Sequence, residues 1–217
     1  MTQWSSSVTD LFVAPGVIDF RSADIPDLAS QFPDAAHWVA DHFLNSVLRG
    51  AFRNGMRQLA MGFLRRSRNG FRFYHEARSS TLSYLAELRP GTQPLSRYFD
   101  AVDGWENFVL QIQMAMDLYR RMPGTEEVFR KGDGSAENRL YRMANMVKHP
   151  GRASPDGNVT PGECFPLWLS NHGLHSTDVA VTFVEAGSML GDVARFAELL
   201  RDPVASVGEP PAGIAAS

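Results

Sequence analysis

Along most of this chain apolar residues return every third or fourth position, the period of a helix with one buried face. The pattern is clearest from Pro94 to Met122, where Phe99, Val102, Trp105, Phe108, Val109, Ile112, Met116 and Tyr119 form one stripe before Pro123-Gly124. At 1.5 Å per residue such a helix is about 42 Å long, and a bundle gives it a continuous partner. Upstream, Asp34 is placed to cap a helix through AAHWVADHFLNSVLRGAF. A second run, Met56 to Leu64, is expected to stop at Ser67-Arg68-Asn69-Gly70, and a third spans Phe73 to Leu88 before Arg89-Pro90-Gly91. After Gly132-Asp133-Gly134-Ser135, a further helix runs from Ala136 to about His149 and halts at Pro150-Gly151.

Beyond the loop RASPDGNVTPGE the period shortens. FPLWL (165–169) and VAVTF (179–183), separated by Ser170-Asn171-His172-Gly173, predict a β-hairpin, and an amphipathic helix follows from about Glu185 to Leu200. The expected fold is therefore all-α: a bundle of four to five helices with a small C-terminal β-hairpin and a final helix. Residues 1–33, with scattered Pro, Ser and Asp, read as an irregular N-terminal arm. Residues 34–202 read as one helical domain whose hairpin-and-helix cap covers about 163–202, and the Pro/Gly/Ala stretch 203–217 is expected to be disordered.

Composition narrows the class. The 217 residues are 44% hydrophobic and 21% charged, ordinary for a globular chain, and no apolar stretch is long enough to cross a bilayer. The N-terminus lacks the basic and long apolar regions of a signal peptide. The one cysteine, Cys164, excludes an intramolecular disulfide and a cysteine metal cage, and a buried inert thiol is expected there. These features point to the cytoplasm.

The net charge of −3 conceals an uneven distribution. All basic residues but Lys131 and Lys148 are arginines, and between Arg49 and Arg89 nine arginines face only Glu76 and Glu87. A guanidinium fork matches phosphate geometry, so this segment is suited to holding a nucleic-acid backbone. A merely solvated helix face is the alternative.

The sharpest chemical candidate lies on the helix ENRLYRMANMVKH. At 100° per residue, Leu140, Met143, Ala144 and Val147 share one face, while Arg142, Asn145 and His149 fall within about 60° of each other on the opposite side. The Arg-x6-His spacing, with a polar Asn four residues before the histidine and Lys148 just ahead of it, resembles the Arg-x(4–6)-His signature of HEPN domains. That resemblance covers residues 136–149. It implies a helical bundle, homodimerisation that brings two motifs together, RNA as partner, metal-independent endoribonuclease activity and a toxin or defence role. His149 would transfer protons, Arg142 would clamp the phosphate and Asn145 would orient them. Arg49, Arg53, Arg57, Arg65 and Arg139 would hold the RNA. A second Arg-x6-His, Arg68 to His75, straddles the break expected at Asn69-Gly70. The competing expectation is a non-catalytic interaction or scaffold module.

Other candidates are weaker. His37, Asp41 and His42 are close in sequence, but no Glu-x-x-His pair accompanies them and no metal is indicated. His172, His175 and Asp178 lie in or near the expected hairpin turn and could contact a ligand. Ser79-Ser80-Thr81 lacks a nucleophile setting. Phosphate-binding glycine loops are absent, and no small-molecule cofactor is indicated.

Overall fold

The computed structural model of the chain describes residue 10 and residues 13–48, 54–90, 92–125, 129, 132–149 and 165–202. Among these, five helices dominate: α1 (Trp38–His42), α2 (Asn54–Glu87), α3 (Leu95–Tyr119), α4 (Ala136–Lys148) and α5 (Phe183–Arg201). Three short strands, β1 (Trp168–Leu169), β2 (Gly173–Ser176) and β3 (Val179–Thr182), form an antiparallel sheet in the order β1-β2-β3. No helix among the described residues is long and apolar enough to cross a membrane.

The two longest helices lie antiparallel. As the α2 partner advances from Phe63 to Tyr74 to Tyr84, its α3 partner retreats from Tyr119 to Phe108 to Tyr98, with ring centroids 5.2, 5.3 and 5.4 Å apart. Phe183 and Phe196 of α5 meet Trp105 and Tyr119, so α5 runs parallel to α3. Thr182 and Glu185 close a reciprocal capping box at the start of α5. The predicted apolar stripe of α3 is the core: Val102, Trp105, Phe108, Val109 and Ile112 are fully buried. Burial of each such side chain contributes about 1.5–3 kcal/mol.

Three expectations fail for physical reasons. The helix does not stop at Ser67-Arg68-Asn69-Gly70, because α2 is continuous over 34 residues. Gly70 faces α3, where a β-carbon would stand 2.5 Å from Ile112 Cδ1. Buried Ser67 donates its hydroxyl to the Phe63 carbonyl at 2.9 Å. These small residues admit the neighbouring helix, and the packing outweighs a glycine cost of about 1 kcal/mol.

Asp34 does not cap the first helix. The helix begins at Trp38 with an uncapped His37, while the Asp34 carboxylate pairs with Arg201 Nη1 at 2.7 Å. The helix then passes into a π-turn, Phe43–Val47, and the rest of that expected helix, 49–52, lies outside the described residues. Finally, the hairpin is a three-stranded meander. Gly173 belongs to β2, not to a turn, and a β-carbon there would stand 2.2 Å from the Val181 carbonyl oxygen of β3. The final helix accordingly starts at Phe183, two residues early. Cys164 and the tail 203–217 lie outside the described residues.

Among the described residues before α1 there is one 3₁₀ helix (Val17–Asp19), yet this stretch is packed into the core. Val17, Phe20, Ile25, Leu28 and Phe32 are buried, with Phe20 stacked on Tyr84 at 5.5 Å. The Tyr74 hydroxyl donates to the Pro26 carbonyl at 2.9 Å, and Arg78 Nε donates to that of Ile25 at 3.0 Å. This segment is also buckled to the C-terminal part. Asn171 Oδ1 accepts from the Arg21 and Ser22 amides at 2.8 and 3.0 Å, while Trp38 Nε1 donates to Glu198 at 2.6 Å.

Candidate nucleic-acid interface

Helix α4 is started by Ser135, whose hydroxyl accepts the Asn138 amide at 3.2 Å. Its apolar face is the one read from the sequence, with Leu140, Met143 and Ala144 buried. Of the polar face, two arginines are engaged inside the protein. Arg139 donates to the Ala180 and Gly134 carbonyls at 2.9 and 2.8 Å and pairs with Glu185. Burial pushes the Glu185 carboxyl up, but hydrogen bonds from Thr182 and Arg139, with the Arg139 charge, outweigh it and hold the group below its usual value. Arg142 pairs with Asp178 in the β2–β3 turn.

Asn145 is half-buried, and its side chain has no hydrogen-bond partner among the described residues. His149 is exposed and is the helix C-cap, with φ −131° and ψ 59°, so it has left the helical geometry assumed by the sequence argument. Lys148, one residue earlier, turns inward to Gln113 of α3. The motif thus occupies one end of α4, with its arginine tied to the sheet and its histidine beyond the last helical residue.

Helix α2 offers a different arrangement. Because it does not break, Arg57, Arg65, Arg68 and Arg72 share an arc of about 80°, and His75 lies within about 20° of Arg68. Phe63, Ser67, Tyr74, Ala77 and Thr81 define the opposite, buried side. Arg65 and Arg68 are exposed and have no carboxylate partner among the described residues. Arg57 is half-buried, with its Nε lacking a hydrogen-bond partner among those residues. Arg72 pairs with Glu76 at 3.6 Å, both side chains being well exposed, and rests on the Phe73 ring. Arg49 and Arg53 lie outside the described residues.

His75 sits at the end of this stripe, 4.7 Å from the Phe71 ring centroid. Its Nδ1 is 3.9 Å from Asp27 Oδ1, and its Nε2 is buried without a hydrogen-bond partner. Burial lowers its proton affinity; Asp27 opposes that, and Arg78 reinforces it. Beside it, a groove of about 650 Å³ opens between residues 29–36 and α2, with Arg68, Asn69, Phe71 and Arg72 on one wall.

Of the remaining candidates, His42, His175 and Thr81 have structural partners. His42 is buried, with Nδ1 2.7 Å from the Leu200 carbonyl, and burial lowers its proton affinity. His175 stacks on Trp168 and bonds Ser170 Oγ at 2.8 Å. Thr81 accepts from Trp105 Nε1 at 2.9 Å. No cluster of three metal-ligating side chains occurs among the described residues.

No family model matches the chain, and neither does any curated protein or solved structure. The chemistry of its surface is therefore the guide to its function. Sequence reasoning counted Arg68 and Arg72 among the arginines but set aside the Arg68–His75 pairing, because it placed a helix break at Ser67-Arg68-Asn69-Gly70. The spacing Phe63, Ser67, Gly70, Tyr74, Ala77, Thr81 was the available signal, since it keeps a helical period across the supposed break.

Proposed function

We propose that the chain is a HEPN-like RNA-binding protein in which the α2 arginines hold the phosphodiester backbone. The observation that carries this reading is the unmatched charge of Arg65 and Arg68. Several other arginines sit against carboxylates, as Arg97 does with Glu87, Arg120 with Asp117 and Arg201 with Asp34. A guanidinium without an internal partner is free to neutralise phosphate, and a stripe along a helix tracks successive phosphates.

Metal-independent cleavage belongs to this proposal at the α4 cluster. The ribose 2′-oxygen would attack the adjacent phosphorus and lose its proton to a base. The 5′-oxygen would leave with a proton, giving a cyclic phosphate. His149 is the proton-transfer group, Asn145 its orienting neighbour and Arg142 the charge on the phosphate oxygens. Arg142 reaches phosphate only by exchanging Asp178 for it. A homodimer would supply a second copy of the motif, and a toxin or defence role follows from the HEPN resemblance alone.

A non-catalytic interaction module is the second reading. It is favoured by the capture of Arg139 and Arg142 as clamps between α4 and the sheet.

The test combines binding and cleavage of a mixed RNA pool in EDTA. Wild type should bind, Arg65→Gln/Arg68→Gln should bind about tenfold more weakly, and His149→Ala should bind but not cut. Absence of RNA binding by the wild type overturns the reading and leaves the interaction module.

A further inference from the structure

The groove beside α2 has a chemical character that the arginine stripe alone does not explain. Its walls include Pro33, Ala36, Arg68, Asn69, Phe71 and Arg72, and no carboxylate among the described residues lines it. Its volume, about 650 Å³, lies within the range of small-molecule sites. Phe71 makes edge-on contacts with Phe32, itself a wall residue, and with Trp38 at 6.1 and 5.8 Å, which hold its ring in place. Cations at the rim, an aromatic wall and one side-chain amide select a ligand that is anionic at one end and flat at the other.

We propose that this groove binds one nucleotide unit. The phosphate lies on Arg68 and Arg72, the base against Phe71 and Pro33, and Asn69 meets the base edge. Arg68 is unpaired among the described residues, and the exposed Arg72–Glu76 pair yields readily, since solvent screens such pairs. An amide both donates and accepts, which suits the edge of a base. Stacking on an aromatic ring tolerates any base, so the site tracks single strands with little sequence preference. This inference rests on the RNA reading for the source of the nucleotide, but not for the site itself. A free mononucleotide carries the same phosphate and base.

The experiment titrates the full chain with UMP, AMP and inorganic phosphate by calorimetry, and with a labelled twelve-nucleotide RNA by anisotropy. Ala36→Trp, an exposed wall position, fills the groove without removing a charge. It should lower mononucleotide affinity at least tenfold while retaining most of the stripe's RNA binding at low salt. Arg68→Gln, also exposed, tests the phosphate contact should the tryptophan variant fail to fold, and a tenfold loss is expected. Nucleotides binding tenfold better than phosphate places the base in the site. RNA binding without mononucleotide binding, and unaffected by Ala36→Trp, overturns the groove and leaves the RNA reading intact. Mononucleotide binding lost in Ala36→Trp, without RNA binding, supports the groove for a free nucleotide and overturns the RNA reading.

Discussion

Gly104 of α3 and Ala77 of α2 meet backbone to backbone: a β-carbon on Gly104 would stand 3.0 Å from both the Cα and the Cβ of Ala77. Nothing at that contact is a flexible side-chain end, so a larger residue parts the helices. Gly70 differs, because the atom it would strike is the terminal carbon of Ile112. Gly104→Ala should therefore destabilise by about 1–3 kcal/mol, less up to about 1 kcal/mol of helix propensity regained. Gly70→Ala should cost less than Gly104→Ala. Urea unfolding of both variants checks the order, and the reverse order would show that the helices are spaced differently.

Burial pushes the Glu106 carboxyl up to about 7, with Asp103 adding to the effect. A carboxyl raised by folding holds its proton more tightly in the folded state. Its contribution is present below the ordinary value of about 4.5 and is lost as pH rises through about 7. Glu106→Gln removes that dependence. Between pH 5 and pH 8 the wild-type Tm should fall by about 2–4 °C relative to the variant, as for a change of about 1 kcal/mol. Parallel Tm curves would exclude a raised carboxyl at this position.

The ion pair between Arg142 and Asp178 separates the two functional readings. Its side chains are 47% and 31% exposed, so Asp178→Asn should lower stability by less than about 1 kcal/mol. It also releases Arg142. If α4 acts on RNA, Asp178→Asn should raise affinity or cutting about two- to fivefold at low salt, by removing a competing anion. An unchanged RNA phenotype in a folded Asp178→Asn protein would assign Arg142 to holding the sheet.

The helical character of the chain and the buried face of α4 were legible because a 3.6-residue period in apolar residues is a direct record of one-sided burial. The continuity of α2 was not. Asn69-Gly70 carries a local preference for a turn, and only the facing Ile112 shows why a glycine belongs inside that helix. Gly173 misled in the same way, since close approach to Val181 and a tight turn both demand a missing side chain. The partners of Arg139 and Arg142 lie 46 and 36 residues away. A helical wheel assigns such arginines to solvent because it contains no other element.

Asn171 holds the backbone of Arg21 and Ser22, and Arg201 holds Asp34, across separations of 150, 149 and 167 residues. The α2–α3 pair can assemble from a stretch of chain already synthesised. The segment from Phe20 to Trp38 meets Asn171 only late in synthesis, and Glu198 and Arg201 only after α5 has emerged from the ribosome. Until then Trp38, fully buried in the finished fold, lacks the Glu198 carboxylate that receives its indole N–H. Interrupting synthesis before α5 would thus leave an unfinished N-terminal half, a substrate for chaperones and proteases.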